Sequence, residues 1–148
     1  MYLDSCVIVK LLVREADSEW FDRHLRGETF ETSELALTEV RSALLANERV
    51  GRISLDERVS AGRKLLGMVE DDILRLLPLN RRVLERASAI QLACHPRVPL
   101  RTLDALHVAT CDLHRGDTMA TTDVRMRAAC EQFAIALCPA EVDDERAG

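Results

Sequence analysis

Residues 1–13, MYLDSCVIVKLLV, join a short apolar run to a longer apolar segment through an acidic residue. Tyr2–Leu3 is predicted to end a buried strand, and Ser5–Val13 has the length and composition of a helix. Asp4 lies between the two, where an aspartate favours the start of a helix by accepting a backbone hydrogen bond. This stretch therefore predicts a strand that gives way to a helix at an acid.

The same alternation continues along the rest of the chain. Further strands are predicted at residues 29–33, 73–77, 118–121 and 135–137, and further helices at residues 18–25, 34–50, 54–69, 80–93, 102–114 and 123–132. Strands that alternate with helices form βαβ units around a parallel sheet. We therefore expect an α/β fold, a three-layer α/β/α sandwich with a mainly parallel central sheet, as one domain over residues 1–140. Residues 141–148 are expected to form an acidic, frayed tail.

The composition limits the class of protein. The 148-residue chain has the length of one domain and a formal net charge of -5, which argues against a general polyanion-binding protein. Its five cysteines are scattered without a Cys-x-x-Cys pair, which indicates reduced thiols. No apolar run approaches the roughly 20 residues that span a bilayer, and no basic leader precedes Asp4. We expect a cytoplasmic protein that does not enter the membrane.

Three acids lie where ligands bind in an open parallel sheet, just beyond the carboxyl ends of the strands. Asp4 follows the first strand, Asp123 follows the strand at 118–121, and Asp104 lies in the first turn of its helix. Each acid taken alone is also explained locally, because helix starts favour carboxylates as caps and through the helix dipole.

Glu39 is harder to explain locally, because it lies inside a helix. The residues three and four positions away are small or apolar, with one serine, and they place Glu39 on an inward face (Leu35, Ala36, Ser42 and Ala43). An unpaired buried carboxylate is costly to ionise, so an arginine or a metal is expected nearby, or else a protonated side chain.

Together, these four acids are predicted to converge on a single cleft. Carboxylates that crowd together repel and raise one another's pKa, and a divalent cation relieves that repulsion. Hard oxygen ligands favour Mg²⁺, with Mn²⁺ as a possible substitute. Such a site suits hydrolysis of phosphodiester bonds by a water molecule that the metal activates.

Four local strings, in this order, resemble the motifs of the PIN domain family and of its VapC-type toxins. They are YLDS at residues 2–5, LTEV at 37–40, LDALHVA at 103–109 and TTDVR at 121–125. The third string is the most specific, and together the four cover nearly the whole chain. The resemblance implies a PIN-like fold and a Mg²⁺-dependent endoribonuclease, often acting on tRNA or rRNA. It also implies a toxin that a cognate VapB-like antitoxin holds inactive, and a homodimer.

The resemblance also assigns roles to individual residues. Asp4, Glu39, Asp104 and Asp123 match the family's catalytic, metal-binding acids. Ser5 and Thr121 match positions that support the site through hydrogen bonds. Relatives often carry another small residue at the position of Cys6, and we expect this difference not to impair the site.

Arginines near the catalytic positions are candidates for RNA phosphate contacts. Arg101, Arg125 and Arg127 lie close to these acids in the sequence. A guanidinium suits phosphate because its planar fork donates two hydrogen bonds at once. The alternative, that these are ordinary surface arginines, stays open for each of them.

A zinc site is less well supported. His107, Cys111 and His114 share one helix at spacings of four and three residues, which resembles ligand spacing. No second pair of soft ligands completes the set, and His107 and Cys111 share a face with Leu103. We therefore expect both to belong to the core.

Two other functions are weighed against the nuclease. A haloacid-dehalogenase-like phosphotransferase also places an aspartate after its first strand, but it needs a second one two residues on, where this chain has Cys6. A non-catalytic PIN-like module that binds RNA or a partner would tolerate the loss of an acid, whereas this chain carries all four. Loss of activity in EDTA distinguishes a nuclease from such a module.

Overall fold

The computed structural model describes residues 1–114 and 118–141. Within these residues the chain forms five strands and seven helices, in the order β1 (Tyr2–Leu3), α1 (Ser5–Leu12), α2 (Ser18–His24), β2 (Phe30–Ser33), α3 (Leu35–Arg49), α4 (Leu55–Glu70), β3 (Leu74–Leu77), α5 (Arg81–Cys94), α6 (Thr102–Leu113), β4 (Thr118–Ala120), α7 (Val124–Gln132) and β5 (Ala136–Cys138). The predicted alternation is confirmed element by element. Apart from Glu141, the predicted tail lies outside the described residues.

The five strands form one sheet in the order β3-β2-β1-β4-β5. Every neighbouring pair is parallel, so each strand enters the sheet from the same side. The short strand β1 lies at the centre, with Leu3 opposite Ala120 of β4. The prediction of a mainly parallel sheet is confirmed.

Side-chain alternation along the strands creates two cores, one on each face of the sheet. Tyr2 and Met119 join the core beneath α5, α6 and α7, whereas Leu3 and Ala120 join the core beneath α1 to α4. Successive residues of a strand point to opposite faces, so neighbouring residues of β1 and β4 serve different layers. The result is the predicted three-layer α/β/α sandwich.

Local capping fixes where several helices begin. Ser54 accepts from the backbone of Glu57, whose side chain accepts from Ser54 in return, which completes the predicted capping box of α4. Asn80 caps α5 by accepting from the backbone N–H of Val83 at 3.2 Å. The cap bonds need only nearby residues, which is why the sequence predicts these boundaries well.

No helix in the described part of the chain is long and apolar enough to cross a membrane.

Candidate active site

The carboxyl edge of the sheet brings the predicted acids to one end of the molecule. Asp4 caps α1 directly after β1, and Asp123 caps α7 after β4. Glu39 lies in α3, which follows β2, and Asp104 lies in the first turn of α6, which contacts β2. Because β2, β1 and β4 are adjacent and parallel, the segments that leave them meet at the same edge.

Asp4 is buried and held by hydrogen bonds on both carboxylate oxygens; its exposed fraction is 2%. Oδ1 accepts from Ser5 Oγ at 3.2 Å and from the backbone N–H of Cys6 at 3.4 Å. Oδ2 accepts from Thr121 Oγ1 at 2.8 Å and from Cys6 Sγ at 2.8 Å. A buried carboxylate with this many donors is strongly oriented, because leaving any donor unpaired would be costly.

Thr121 links two of the acids. Its hydroxyl donates to Asp4 and accepts from the backbone N–H of Asp123 at 3.1 Å. Asp123 in turn accepts from the backbone N–H groups of Arg125 at 2.8 Å and Met126 at 3.0 Å through Oδ1. The start of α7 and the start of α1 are therefore joined through one side chain.

Glu39 is partnered by a histidine. His107 Nε2 lies 2.5 Å from Glu39 Oε2, with the His107 side chain 2% exposed and the Glu39 side chain 19% exposed. Burial raises the pKa of Glu39, but the hydrogen bond and charge of His107 and a hydrogen bond from Ser5 outweigh it, so that the pKa is lowered. The sequence predicts an arginine, a metal or a protonated acid at this position; the structure supplies His107 and favours the ionised form of Glu39.

The charges of two other acids raise the pKa of Asp104. Its Oδ2 accepts from the backbone N–H of Arg101 at 3.2 Å. Burial chiefly raises the pKa of Asp104, the charges of Asp123 and Asp4 raise it further, and the bond from Arg101 opposes them. Burial lowers the pKa of His107, but the bond to Glu39 and the charges of Asp4 and Asp104 outweigh it, so that the pKa is raised. The acids therefore share one electrostatic environment.

The type of donor at this edge fits a hard divalent cation, because all four predicted ligands offer carboxylate oxygens. Among the residues described here, however, no three Asp, Glu, His or Cys side chains stand close enough together to hold a metal ion. The carboxylates lie at the same edge of the sheet, and the charges of Asp4 and Asp123 raise the pKa of Asp104, but the acids do not form a closed cluster. The four-ligand metal site stays a prediction.

A groove runs beside the acidic edge, between α1, α3 and the start of α6. Ser5 and Glu39 lie on its wall, and most of the remaining lining is apolar, including Val9, Leu35 and Leu103. The groove gives a ligand access to Glu39 from solvent.

The three candidate arginines differ in their surroundings. Arg101 is exposed and Arg125 is half-buried, so phosphate contacts by these two remain predictions. Arg127 is only 9% exposed; its Nη1 donates to the carbonyl oxygens of Thr121 at 3.1 Å and Pro139 at 2.9 Å, and its Nη2 donates to Ala140 at 2.9 Å. The prediction that Arg127 binds RNA phosphate is corrected, because its guanidinium ties α7 to the end of β5.

The prediction that His107 and Cys111 belong to the core is confirmed, with exposed fractions of 1% and 0%. The bond between His107 and Glu39 was not predicted from the sequence. One signal was present: Asp104 and His107 are three residues apart and share a face of α6.

The structure also gives Cys6 a contact with Asp4, and burial raises the pKa of that thiol to about 12, so it stays protonated.

Comparison with known proteins adds independent findings. The family model described as "PIN domain" matches residues 1–132. The chain is also 37% identical over 143 residues to a protein named Ribonuclease VapC46 from Mycobacterium tuberculosis (strain ATCC 25618 / H37Rv), and the match covers 93% of this chain and 95% of that relative.

Proposed function

This chain belongs to the PIN domain family, and from that membership we propose that it is a metal-dependent endoribonuclease that hydrolyses RNA phosphodiester bonds. The observation that carries the proposal is the placement of acids at the carboxyl edge of the parallel sheet, where Asp4 and Asp123 begin the helices that follow neighbouring strands and Thr121 joins them. Carboxylates that repel one another at the carboxyl edge of a parallel sheet are the arrangement that a bound cation stabilises. The relative's name, a ribonuclease, supports the choice of substrate.

In this proposal Asp4, Glu39, Asp104 and Asp123 would hold the ion, which would be Mg²⁺ with Mn²⁺ as a substitute. Such an ion would supply two effects, a lower pKa of an attacking water and stabilisation of the leaving oxygen. The chain's own contribution is to fix the carboxylates. Thr121 holds Asp4 and the backbone of Asp123 at once, which limits how far the two acids can separate.

RNA recognition falls to arginines at the rim of the site. The chain has a net charge of -5, so attraction to phosphates must come from local groups. We propose Arg101 and Arg125 for this role, because both lie within three residues of a proposed metal ligand and neither is buried. A guanidinium fork binds phosphate through two hydrogen bonds, whereas the carboxylates repel it unless a cation intervenes.

The biological setting is also a proposal, supported by the name of the relative. We propose that the chain is the toxin of a toxin–antitoxin pair, that it cleaves tRNA or rRNA as a homodimer in the cytoplasm, and that a VapB-like antitoxin inhibits it. Residues 1–140 would then form a single PIN domain, with residues 141–148 as a tail.

The decisive experiment is cleavage of total cellular RNA by the purified full chain with Mg²⁺ or Mn²⁺. Asp104→Asn should lower the cleavage rate at least about 100-fold, since losing even a partner of a metal ligand costs roughly 10- to 100-fold. The matched control is Asp112→Asn, which removes a carboxylate from the same helix, where it pairs with Arg86 outside the site. EDTA should abolish cleavage by the wild type.

Intact RNA under every metal condition would contradict the proposal. RNA binding that EDTA leaves unchanged, without cleavage, would instead favour a non-catalytic PIN-like module. Cleavage that survives both EDTA and Asp104→Asn would point to a contaminating nuclease and would also count against a metal-dependent site.

A further inference from the structure

A buried line of hydrogen bonds connects the centre of the sheet to Glu39. The backbone N–H of Ser33, at the end of β2, donates to Tyr2 Oη at 3.1 Å. Tyr2 Oη forms a hydrogen bond with His107 Nδ1 at 2.7 Å, and His107 Nε2 lies 2.5 Å from Glu39 Oε2. Ser33 is 0% exposed, and Tyr2 and His107 are each 1% exposed. Of these four residues, Glu39 is therefore the one that reaches the groove.

The chemistry of the two side chains decides which atom donates in the hydrogen bond at the outer end of this line. A carboxylate can only accept, so the proton between His107 and Glu39 belongs to Nε2. The imidazole and the Tyr2 ring lie at an interplanar angle of 73° with their centroids 5.9 Å apart, and the Tyr2 hydroxyl joins them. Both ring nitrogens of His107 therefore have a partner, and its Nε2–H points at Glu39.

Glu39 itself has a reason to need such a partner. It belongs to α3, its carboxylate is on the wall of an open groove, and a glutamate side chain loses considerable rotamer freedom when it is held in one place. A ligand that is already held before the ion arrives spares that ordering cost during binding.

We infer that His107 is a positioning residue that holds the Glu39 carboxylate for the metal, and that Tyr2 sets the orientation of the His107 ring. The inference rests on the proposed function to the extent that it takes Glu39 as a metal ligand. His107 acts through Glu39, and Tyr2 acts through His107. The alternative is that His107 merely fills the core beneath α6.

The test measures binding of Mn²⁺ alone to the metal-free full chain by isothermal titration calorimetry. His107→Leu should weaken Mn²⁺ binding about 10- to 100-fold, the range found when a partner of a metal ligand is removed. His107→Gln should recover much of the affinity, because its amide reaches about as far as Nε2 and still donates. Tyr2→Phe, which removes one oxygen atom, should give a smaller loss.

The matched control is Thr110→Val, which removes a buried hydroxyl from the same helix. Thr110 is 0% exposed and its Oγ1 donates to the Leu106 carbonyl at 2.7 Å, within α6. It should lower the melting temperature without changing the affinity for Mn²⁺. If His107→Leu fails to fold, His107→Gln and Tyr2→Phe still carry the comparison.

A spectroscopic measurement separates positioning from packing. In ¹⁵N spectra of the histidine rings, Glu39→Gln should shift the Nε2 resonance of His107, and Tyr2→Phe should shift the Nδ1 resonance. Thr110→Val should leave both in place.

Equal Mn²⁺ affinity in every folded variant would overturn the inference, even if the wild type cleaves RNA. Absence of Mn²⁺ binding by the wild type would overturn it together with the metal site. The expected order of affinities without any RNA cleavage would support the inference while contradicting the nuclease proposal.

Discussion

Thr121 is the residue on which two of the proposed ligands depend. Its hydroxyl donates to buried Asp4 and accepts from the backbone of Asp123. Thr121→Val keeps the shape but leaves both groups without this partner, and an unsatisfied buried polar group costs about 1–3 kcal/mol. We expect the free energy of unfolding to fall by about that amount in urea denaturation, and Mn²⁺ affinity to fall with it.

Thr121→Ser serves as the control, because it keeps the hydroxyl and loses only a methyl group. If Thr121→Val and Thr121→Ser lower stability equally, packing of the methyl group matters and the hydrogen bonds do not.

Asp104 should carry a stability penalty in the metal-free protein. Burial and the charges of Asp123 and Asp4 raise its pKa, so the ionised form is disfavoured in the folded state. Asp104→Asn removes that charge, and its Oδ1 can still accept from Arg101. In EDTA at neutral pH this substitution should raise the free energy of unfolding, whereas with Mg²⁺ present it should lower the cleavage rate, a trade-off common at active sites.

The sign of the pH dependence follows from the raised pKa. The folded state binds the proton more tightly than the unfolded state, so the penalty is full above the raised pKa and disappears as the pH falls toward the ordinary value. The advantage of Asp104→Asn should shrink in the same window. Asp112→Asn, which breaks the ion pair with Arg86, should change stability in the opposite direction at neutral pH. Equal signs for the two variants would contradict the repulsion at the site.

Among the elements, the joint between α7 and β5 depends on Arg127. Its guanidinium donates to three carbonyl oxygens, those of Thr121, Pro139 and Ala140. Arg127→Met keeps much of the buried stem and removes these donors, which we expect to cost about 2–4 kcal/mol from the loss of charge-assisted hydrogen bonds. Chemical denaturation measures the loss directly.

Arg125→Met is the comparison within the same helix, because Arg125 is half-buried and proposed to contact RNA. It should change the free energy of unfolding by no more than about 0.5 kcal/mol and weaken RNA binding instead. The reverse pattern, with Arg125 important for stability and Arg127 for binding RNA, would restore the original expectation for Arg127.

For the whole molecule, a metal that binds only the folded chain should stabilise all of it. At a free concentration of 100 times its Kd, such a ligand adds about 2.7 kcal/mol to the free energy of unfolding. We expect Mn²⁺ to raise the melting temperature of the wild type and EDTA to reverse the effect. Asp104→Asn should melt at nearly the same temperature with and without Mn²⁺. A similar rise in both proteins would place the ion elsewhere on the surface.

The sequence by itself determined the elements and the positions of the acids along them. Hydrophobic spacing and capping residues are local properties, so Asp4 and Asp123 could be placed at helix starts without knowledge of the fold, and each observed boundary lies within one or two residues of its prediction. The parallel sheet follows from the alternation of strands and helices, because that order favours crossover connections.

Only the tertiary structure decided which side chains meet. His107 and Glu39 are 68 residues apart in sequence, and their contact depends on how α6 docks against β2 and α3. Arg127 looks like a surface arginine until the fold supplies three carbonyl oxygens for it, that of Thr121 after β4 and those of Pro139 and Ala140 after β5. The strand order, with β1 between β2 and β4, likewise depends on packing across the whole sheet. Such contacts depend on the relative placement of distant elements, whereas the spacing of residues along a chain specifies only which face each one occupies.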